Sequence, residues 1–237
     1  MANKGKYYES QFEEATIELL REAHWQYTLG DDIHRKYTDP LIEEDLRNFL
    51  AVQYKDKNLT TSEMDGIVAN LRNTGGQNDY YALRNAFLLY RDGYDFAYSD
   101  SRDNPFRMEY IDFEHPDHNI FRCVNQFVMG QGRENRRPDI LLFINGIPVC
   151  IIELKNPTKQ NATIRDAHTQ ICTRYMRDIP ALLKYCALAV ISDGAKNALG
   201  TTYTPFEFFY EWKKIENEDK AGKGLDTLRT LIRGALS

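Results

Sequence analysis

Three charged residues bracket a stretch that is otherwise apolar: Asp139 opens one run, and Glu153 and Lys155 close the next. Charged side chains are rarely buried unless they are paired or hold a metal. The two runs, ILLFI and IPVCII, flank Asn145-Gly146, the strongest short hairpin signal. Being apolar on successive residues, both strands should be buried on both faces. The plain reading is a set of strand-end charges reaching solvent as an ion pair. The chemical reading requires convergence. Glu153 and Lys155 are two apart on a strand and share a face. A simple two-residue turn pairs Ile144 with Ile147 and Asp139 with Ile152, which sends Glu153 to the opposite face. A three-residue loop, or a bulge in one strand, sets Asp139 opposite Glu153. The chemical reading therefore predicts a register shifted by one.

If the three meet, two hard carboxylate oxygens suit Mg²⁺, which binds through one or two carboxylates and keeps several waters. The backbone carbonyl of Leu154, between them, is a further candidate ligand. Such a metal activates water and stabilises charge on a phosphate, while Lys155 orients the water or stabilises the transition state electrostatically. At neutral pH both acids are expected ionised and the lysine protonated, unless burial intervenes.

The elements that must position these groups alternate in type. Residues 9–24 read as an amphipathic helix with Phe12, Ala15, Ile17, Leu19, Leu20 and Ala23 on its apolar stripe. A helical block over about 40–93 follows: one helix over 40–54 with Pro40 at its first position, one from a Thr60…Glu63 capping box to about Arg72, and one over 79–91 ending at Gly93. Residues 94–118 hold aromatics between breakers, read as strands or irregular connections. Residues 120–129 alternate as a strand, with Phe121, Cys123, Phe127 and Met129 on one side. After the hairpin come a helix over 162–178, between Asn161 and the Ile179-Pro180 stop, a buried strand over 186–192, and a further strand over 204–213 from the alternation of Phe206, Phe208, Tyr210 and Trp212. The tail turns helical after a Lys/Gly-rich loop at 220–224. This order gives an α/β fold, a mixed β-sheet flanked by helices. The expected single domain has its core at about 9–25 and 94–215, with the 40–93 block as a helical insertion.

The net charge of -5 does not suggest a nucleic-acid partner, but its distribution is uneven. Residues 1–50 carry 6 Lys/Arg against 11 Asp/Glu. From 131 to 177 the balance reverses, with Arg133, Arg136, Arg137, Lys155, Lys159, Arg165, Arg174 and Arg177 against Glu134, Asp139, Glu153 and Asp166, compatible with a phosphate-facing surface. Four dispersed cysteines form no CxxC pair and read as reduced, buried side chains. His115 and His118, three apart beside Pro116, are the nearest approach to metal-ligand spacing elsewhere; the proline argues for a loop and no cysteine is close by. No apolar run is long enough to span a membrane and the N-terminus has no secretory h-region, so a cytoplasmic location is expected.

The string RPDILLFINGIPVCIIELKNP resembles the Pro-Asp…Glu-x-Lys motif of PD-(D/E)xK nucleases. More narrowly, it resembles the N-terminal nuclease domain of the motor (R) subunit of type I restriction–modification enzymes. VNQF at 124–127, AHTQICTRYMRDIP at 167–180 and VISDG at 190–194 match as well, so the resemblance covers at least 120–215, while the 40–93 block is unmatched. It implies a restriction-endonuclease-like core in which Asp139, Glu153 and Lys155 are catalytic and Mg²⁺ is the cofactor. It also implies double-stranded DNA as substrate, and modification and specificity subunits as partners. The family's glutamine–tyrosine pair, spaced Gln-x-x-x-Tyr on the next helix, makes Gln170 a candidate. Here Arg174 stands four residues on and Tyr175 five, so Arg174 is the i+4 neighbour and Tyr175 falls out of step. A carboxylate from the first helix often joins such sites, and Glu13 is the candidate over Glu9. The family's subunits continue into an ATP-driven translocase; these residues contain no GxxxxGK[ST] loop, so ATP dependence would belong to that part. The alternatives are a repair nuclease of the same superfamily, or a non-catalytic DNA-binding or docking module with a nuclease-like core.

Overall fold

A computed structural model describes residues 3–100, 103–130, 135–155, 163–215 and 224–237, with residues 3–9 described by backbone alone. Arg133, Glu134, Lys159, Asn161 and most of the Lys/Gly-rich loop therefore lie outside the described residues. The centre of the fold is a six-stranded mixed sheet: β1 (Gln26–Leu29), β4 (Phe121–Asn125), β5 (Ile140–Ile144), β6 (Ile147–Leu154), β7 (Leu188–Ser192) and β8 (Asn197–Gly200), in that spatial order. β1 runs parallel to β4 and β6 parallel to β7; the other pairs are antiparallel. A small hairpin, β2 (Tyr94–Phe96) with β3 (Phe106–Met108), stands apart.

The sheet separates two apolar layers. One contains α1 (Asn3–Glu22), α2 (Glu43–Gln53), α3 (Thr61–Asn73), α4 (Asp79–Asp92) and α8 (Leu225–Ala235), packed on Cys123, Ile140, Leu142 and Ile152. The other is formed by α5 (Ile164–Thr169), a π-helical turn Gln170–Tyr175, α6 (Met176–Asp178) and α7 (Pro180–Leu183), packed on Val124, Leu141, Phe143, Ile151 and Ile191. This second set is the crossover that a parallel β6–β7 pair requires. The helical block shares the first core with the sheet, since Leu46 and Leu50 pack in the cluster that holds Ile147.

The Thr60–Glu63 capping box forms and Gly93 caps α4 at φ +68°. Pro40 does not start α2, whose N-cap is Ile42: the Ile42 N–H is held by the Gly146 carbonyl, so the hairpin turn sets where the helix begins. The strand expected over 120–129 stops at Asn125. Gln126 takes a left-handed φ of +58°, and Phe127 and Met129 turn into the second core, away from Cys123. The strand expected over 204–213 is absent. Pro205 leads into a 3-10 turn at Phe206–Phe208, and a single bridge joins Tyr210 to Leu199. The edge of β8 is there to pair with, but the 3-10 turn that follows Pro205 takes Phe206–Phe208 out of extended form, so the alternation yields only that bridge.

The Asn145-Gly146 turn has the positive φ values, +50° and +76°, that a type I′ hairpin requires. A Cβ on Gly146 would collide with the Ile42 carbonyl oxygen, on top of the cost of its backbone conformation. Gly146→Ala is expected to cost at least about 2 kcal/mol in urea unfolding. An unchanged midpoint would mean that the α2 junction yields easily.

Candidate active site

The turn is the simple two-residue type, with Ile144 paired to Ile147 and Phe143 to Pro148, yet the next pair is Leu142 with Cys150. Val149 is the extra residue. A proline without an N–H weakens the ladder at this point, a usual place for a bulge. Val149 and Cys150, consecutive in sequence, both pack into the first core, as only a bulge permits. The register is thus advanced by one: Ile140 faces Ile152, and Asp139, the next residue out, comes opposite Glu153. The shift expected from the sequence is present, produced by the bulge while the turn stays short.

Asp139, Glu153 and Lys155 consequently face the layer of α5 to α7. Asp139 Oδ2 accepts from the Leu154 N–H at 2.7 Å, fixing its carboxylate across the ladder. The Leu154 side chain is buried in the first core. Glu153 is 1% exposed. Lys155 Nζ donates to Glu153 Oε1 and to Gln170 Oε1, each at 2.8 Å. Gln170 Nε2 donates to the Tyr175 hydroxyl at 2.6 Å, which lies 3.2 Å from Glu153 Oε2 and donates to it. The four side chains close a ring around the glutamate.

The ring depends on the π turn. An α-helix brings i+4 onto the face of i; one wound i→i+5 brings i+5. Residues 170–175 are π-helical, so Tyr175 meets Gln170 and Arg174 faces solvent. The spacing that put Tyr175 out of step is matched by the irregular helix. The mismatch of one residue was the only trace of it in the sequence, since hydrophobic periodicity does not mark a single π turn.

Burial first, and then the charge of Asp139, push the Glu153 carboxyl up to about 8, against the pull of Lys155. Burial does intervene, and without a cation Glu153 is largely protonated at neutral pH. Two carboxylates facing each other at this cost form a donor set suited to a divalent cation, whose charge would relieve both the desolvation and the repulsion. Burial and the Glu153 carboxylate likewise raise the Tyr175 phenol.

Other expected participants lie apart from this ring. Glu13 accepts from the Asn125 and Gln126 side-chain amides at 2.8 and 3.0 Å, on the α1 side of the sheet. Asn125 pairs with Ile140, so this cluster stands at the same sheet end as Asp139. The basic excess is smaller than counted: Arg136 and Arg177 both pair with Asp178, one residue beyond the window. Arg165 lies over the Phe206 ring, and Arg137 and Arg174 are exposed. Cys123, Cys150 and Cys186 are buried and all four cysteines are free. Among the described residues no helix is long and apolar enough to cross a membrane.

Comparison with known proteins bears on the family of the chain. The family model for the N terminus of type I restriction enzyme R proteins matches residues 6–208. The HindI endonuclease subunit of a type I restriction enzyme from Haemophilus influenzae is 29% identical over 240 aligned residues, 96% of this chain and 22% of that protein. A putative type I restriction enzyme endonuclease subunit from Methanocaldococcus jannaschii, MjaIXP, is 30% identical over 215, covering 87% and 20%. The EcoprrI endonuclease subunit from Escherichia coli is 30% identical over 133, covering 52% and 40%. The chain spans about a fifth of the length of the first two relatives. With 6–208 matched, the bulged hairpin and the π turn both fall inside the matched region, and the chain belongs to the family of type I restriction enzyme R protein N termini.

Proposed function

We propose that this chain is the metal-dependent endonuclease domain of a type I restriction R subunit, hydrolysing phosphodiester bonds in double-stranded DNA. The observation that carries the reading is the bulged register that holds Asp139 on the Leu154 N–H and brings its charge to bear on Glu153, with Lys155 donating to the same glutamate, at the open end of the hairpin. Asp139, Glu153 and the Leu154 carbonyl are the groups that would hold Mg²⁺. Bound there, the cation would supply positive charge and an acidified water next to the scissile phosphate. The chain's own contribution is electrostatic and positional. Lys155 presents an ammonium, anchored at two oxygens, where negative charge develops on the phosphate. Gln170 and Tyr175 hold Lys155 and Glu153 in place, and so act as positioning residues. The work is carried out with the modification and specificity subunits of the complex, and among the described residues exposed Arg137 and Arg174 are candidate phosphate contacts.

Calorimetric titration with Mg²⁺ or Mn²⁺ is the direct test. The wild-type chain is expected to bind the ion, and Asp139→Ala to lose it, with no change in circular dichroism. No binding to the wild type would favour a docking module that merely keeps the nuclease core.

A further inference from the structure

The loop 112–119 holds a second group of metal-ligating side chains that the nuclease reading does not use. Asp112 is buried, while His115 and His118 are exposed. His118 Nδ1 lies 3.0 Å from Asp112 Oδ2 and His115 Nδ1 lies 3.7 Å from Asp112 Oδ1. The two rings are stacked nearly parallel, with centroids 5.0 Å apart. One ligand atom from each of the three lies within 4.8 Å of the others, an arrangement one ion can bridge.

We propose that Asp112, His115 and His118 form a binding site for a divalent transition-metal ion of the zinc class, separate from the nuclease centre. Two imidazole nitrogens and one carboxylate oxygen are borderline donors that suit Zn²⁺, Co²⁺ or Ni²⁺; Mg²⁺ takes oxygen and water. Three protein ligands on an exposed loop leave the remaining position to solvent.

The carboxylate is oriented in advance. Asp112 Oδ1 accepts from the backbone N–H groups of Glu114 and His115, and Oδ2 from Gln53 Nε2 at 3.0 Å. Asn119 receives the Asp112 N–H on its side-chain oxygen and donates to the Asp112 and Pro116 carbonyls. Pro116 opens the 3-10 turn that brings His118 back over His115. Outer contacts of this kind fix ligand direction. Metal would displace the His118 contact on Oδ2 and leave the Gln53 hydrogen bond in place. Metal there would also fasten the loop to the hairpin turn, because Asn145 Nδ2 donates to Asn119 Oδ1 and to the Tyr110 carbonyl. That turn is the closed end of the β5–β6 hairpin. Asp139 and Leu154 mark its open end, about 17 Å away at roughly 3.4 Å per residue, so the two centres do not share an ion.

The test is Zn²⁺ calorimetry and Co²⁺ absorption on the full chain carrying Asp139→Ala, which removes the nuclease centre from the count. One equivalent of Zn²⁺ is expected to bind, with a visible Co²⁺ spectrum and a rise in melting temperature. Adding His115→Ala and His118→Ala, both exposed positions, should abolish binding while circular dichroism is unchanged. Gln53→Ala should weaken it about 10–100-fold. The proposal is overturned if no Zn²⁺ binds in the Asp139→Ala background, or if binding survives the double histidine change. Neither outcome bears on the nuclease proposal, which is read from Mg²⁺ at the other end of the hairpin.

Discussion

Lys155→Ala is expected to slow DNA cleavage by about 10²–10³-fold if the proposed nuclease role holds, the range for removing one preorganised electrostatic group, while divalent metal is expected still to bind. The separation of the two effects follows from the ring. Lys155 competes with a cation for the Glu153 carboxylate, since its ammonium sits 2.8 Å from Oε1. Removing it frees that oxygen and leaves both carboxylates in place. Asp139→Ala should abolish both binding and cleavage, because Glu153 alone is a single buried acid that prefers to stay protonated. Plasmid linearisation by the proposed complex with modification and specificity subunits would read the first effect, and calorimetry on this chain the second. Wild-type cleavage by the Lys155 variant would remove the lysine from the chemistry and leave it as a counter-ion.

The second large effect concerns stability. Glu153 is held up to about 8 in the folded chain, against 4.5 ordinarily. The folded state therefore binds this proton more tightly than the unfolded state. Between about 4.5 and about 8, unfolding releases a proton, and stability falls as pH rises through that window. By pH 7 the loss is on the order of 3 kcal/mol. In chelator, the urea midpoint of the wild type should drop from pH 5 to pH 8, and Glu153→Gln should flatten that slope. Added Mg²⁺ should restore the wild type at the upper end, because a ligand of the folded state stabilises it by mass action. It should do little for the glutamine variant. Identical slopes for the two proteins would show that the glutamate is ionised and solvated in the absence of metal.

Much of this arrangement is legible in the sequence, and the reasons for the exceptions are physical. The hairpin announces itself because Asn145-Gly146 meets a backbone demand few other dipeptides satisfy, and the capping box at Thr60 because its hydrogen bonds are local. Long-range decisions are less visible. β1 and β8, of four residues each, carry no alternation long enough to detect and owe their strand form to β4 and β7 beside them. The bulge leaves no hydropathy signal, since Val149 is apolar on either face; only Pro148 hints at it. Phe206 to Trp212 fail in the opposite way, alternating well but bonding as strand only at Tyr210. The acids and the lysine stand out in the sequence by type and place. Their convergence rests on the bulge, and Tyr175, suggested by the resemblance but one residue out of step, meets Gln170 through a helix wound more loosely.

Val149 also bears on how distant relatives should be sought. With the bulge, Asp139 and Glu153 stand 14 positions apart, and a relative with a regular strand would bring the same acids together at about 13. Likewise, Gln170 and Tyr175 meet at a spacing of five through a π turn, where a regular helix would use about four. A search pattern that fixes either interval will discard proteins with the same centre. Cross-strand pairing is the quantity held constant, and tallying positions along the chain is a poor ruler for it.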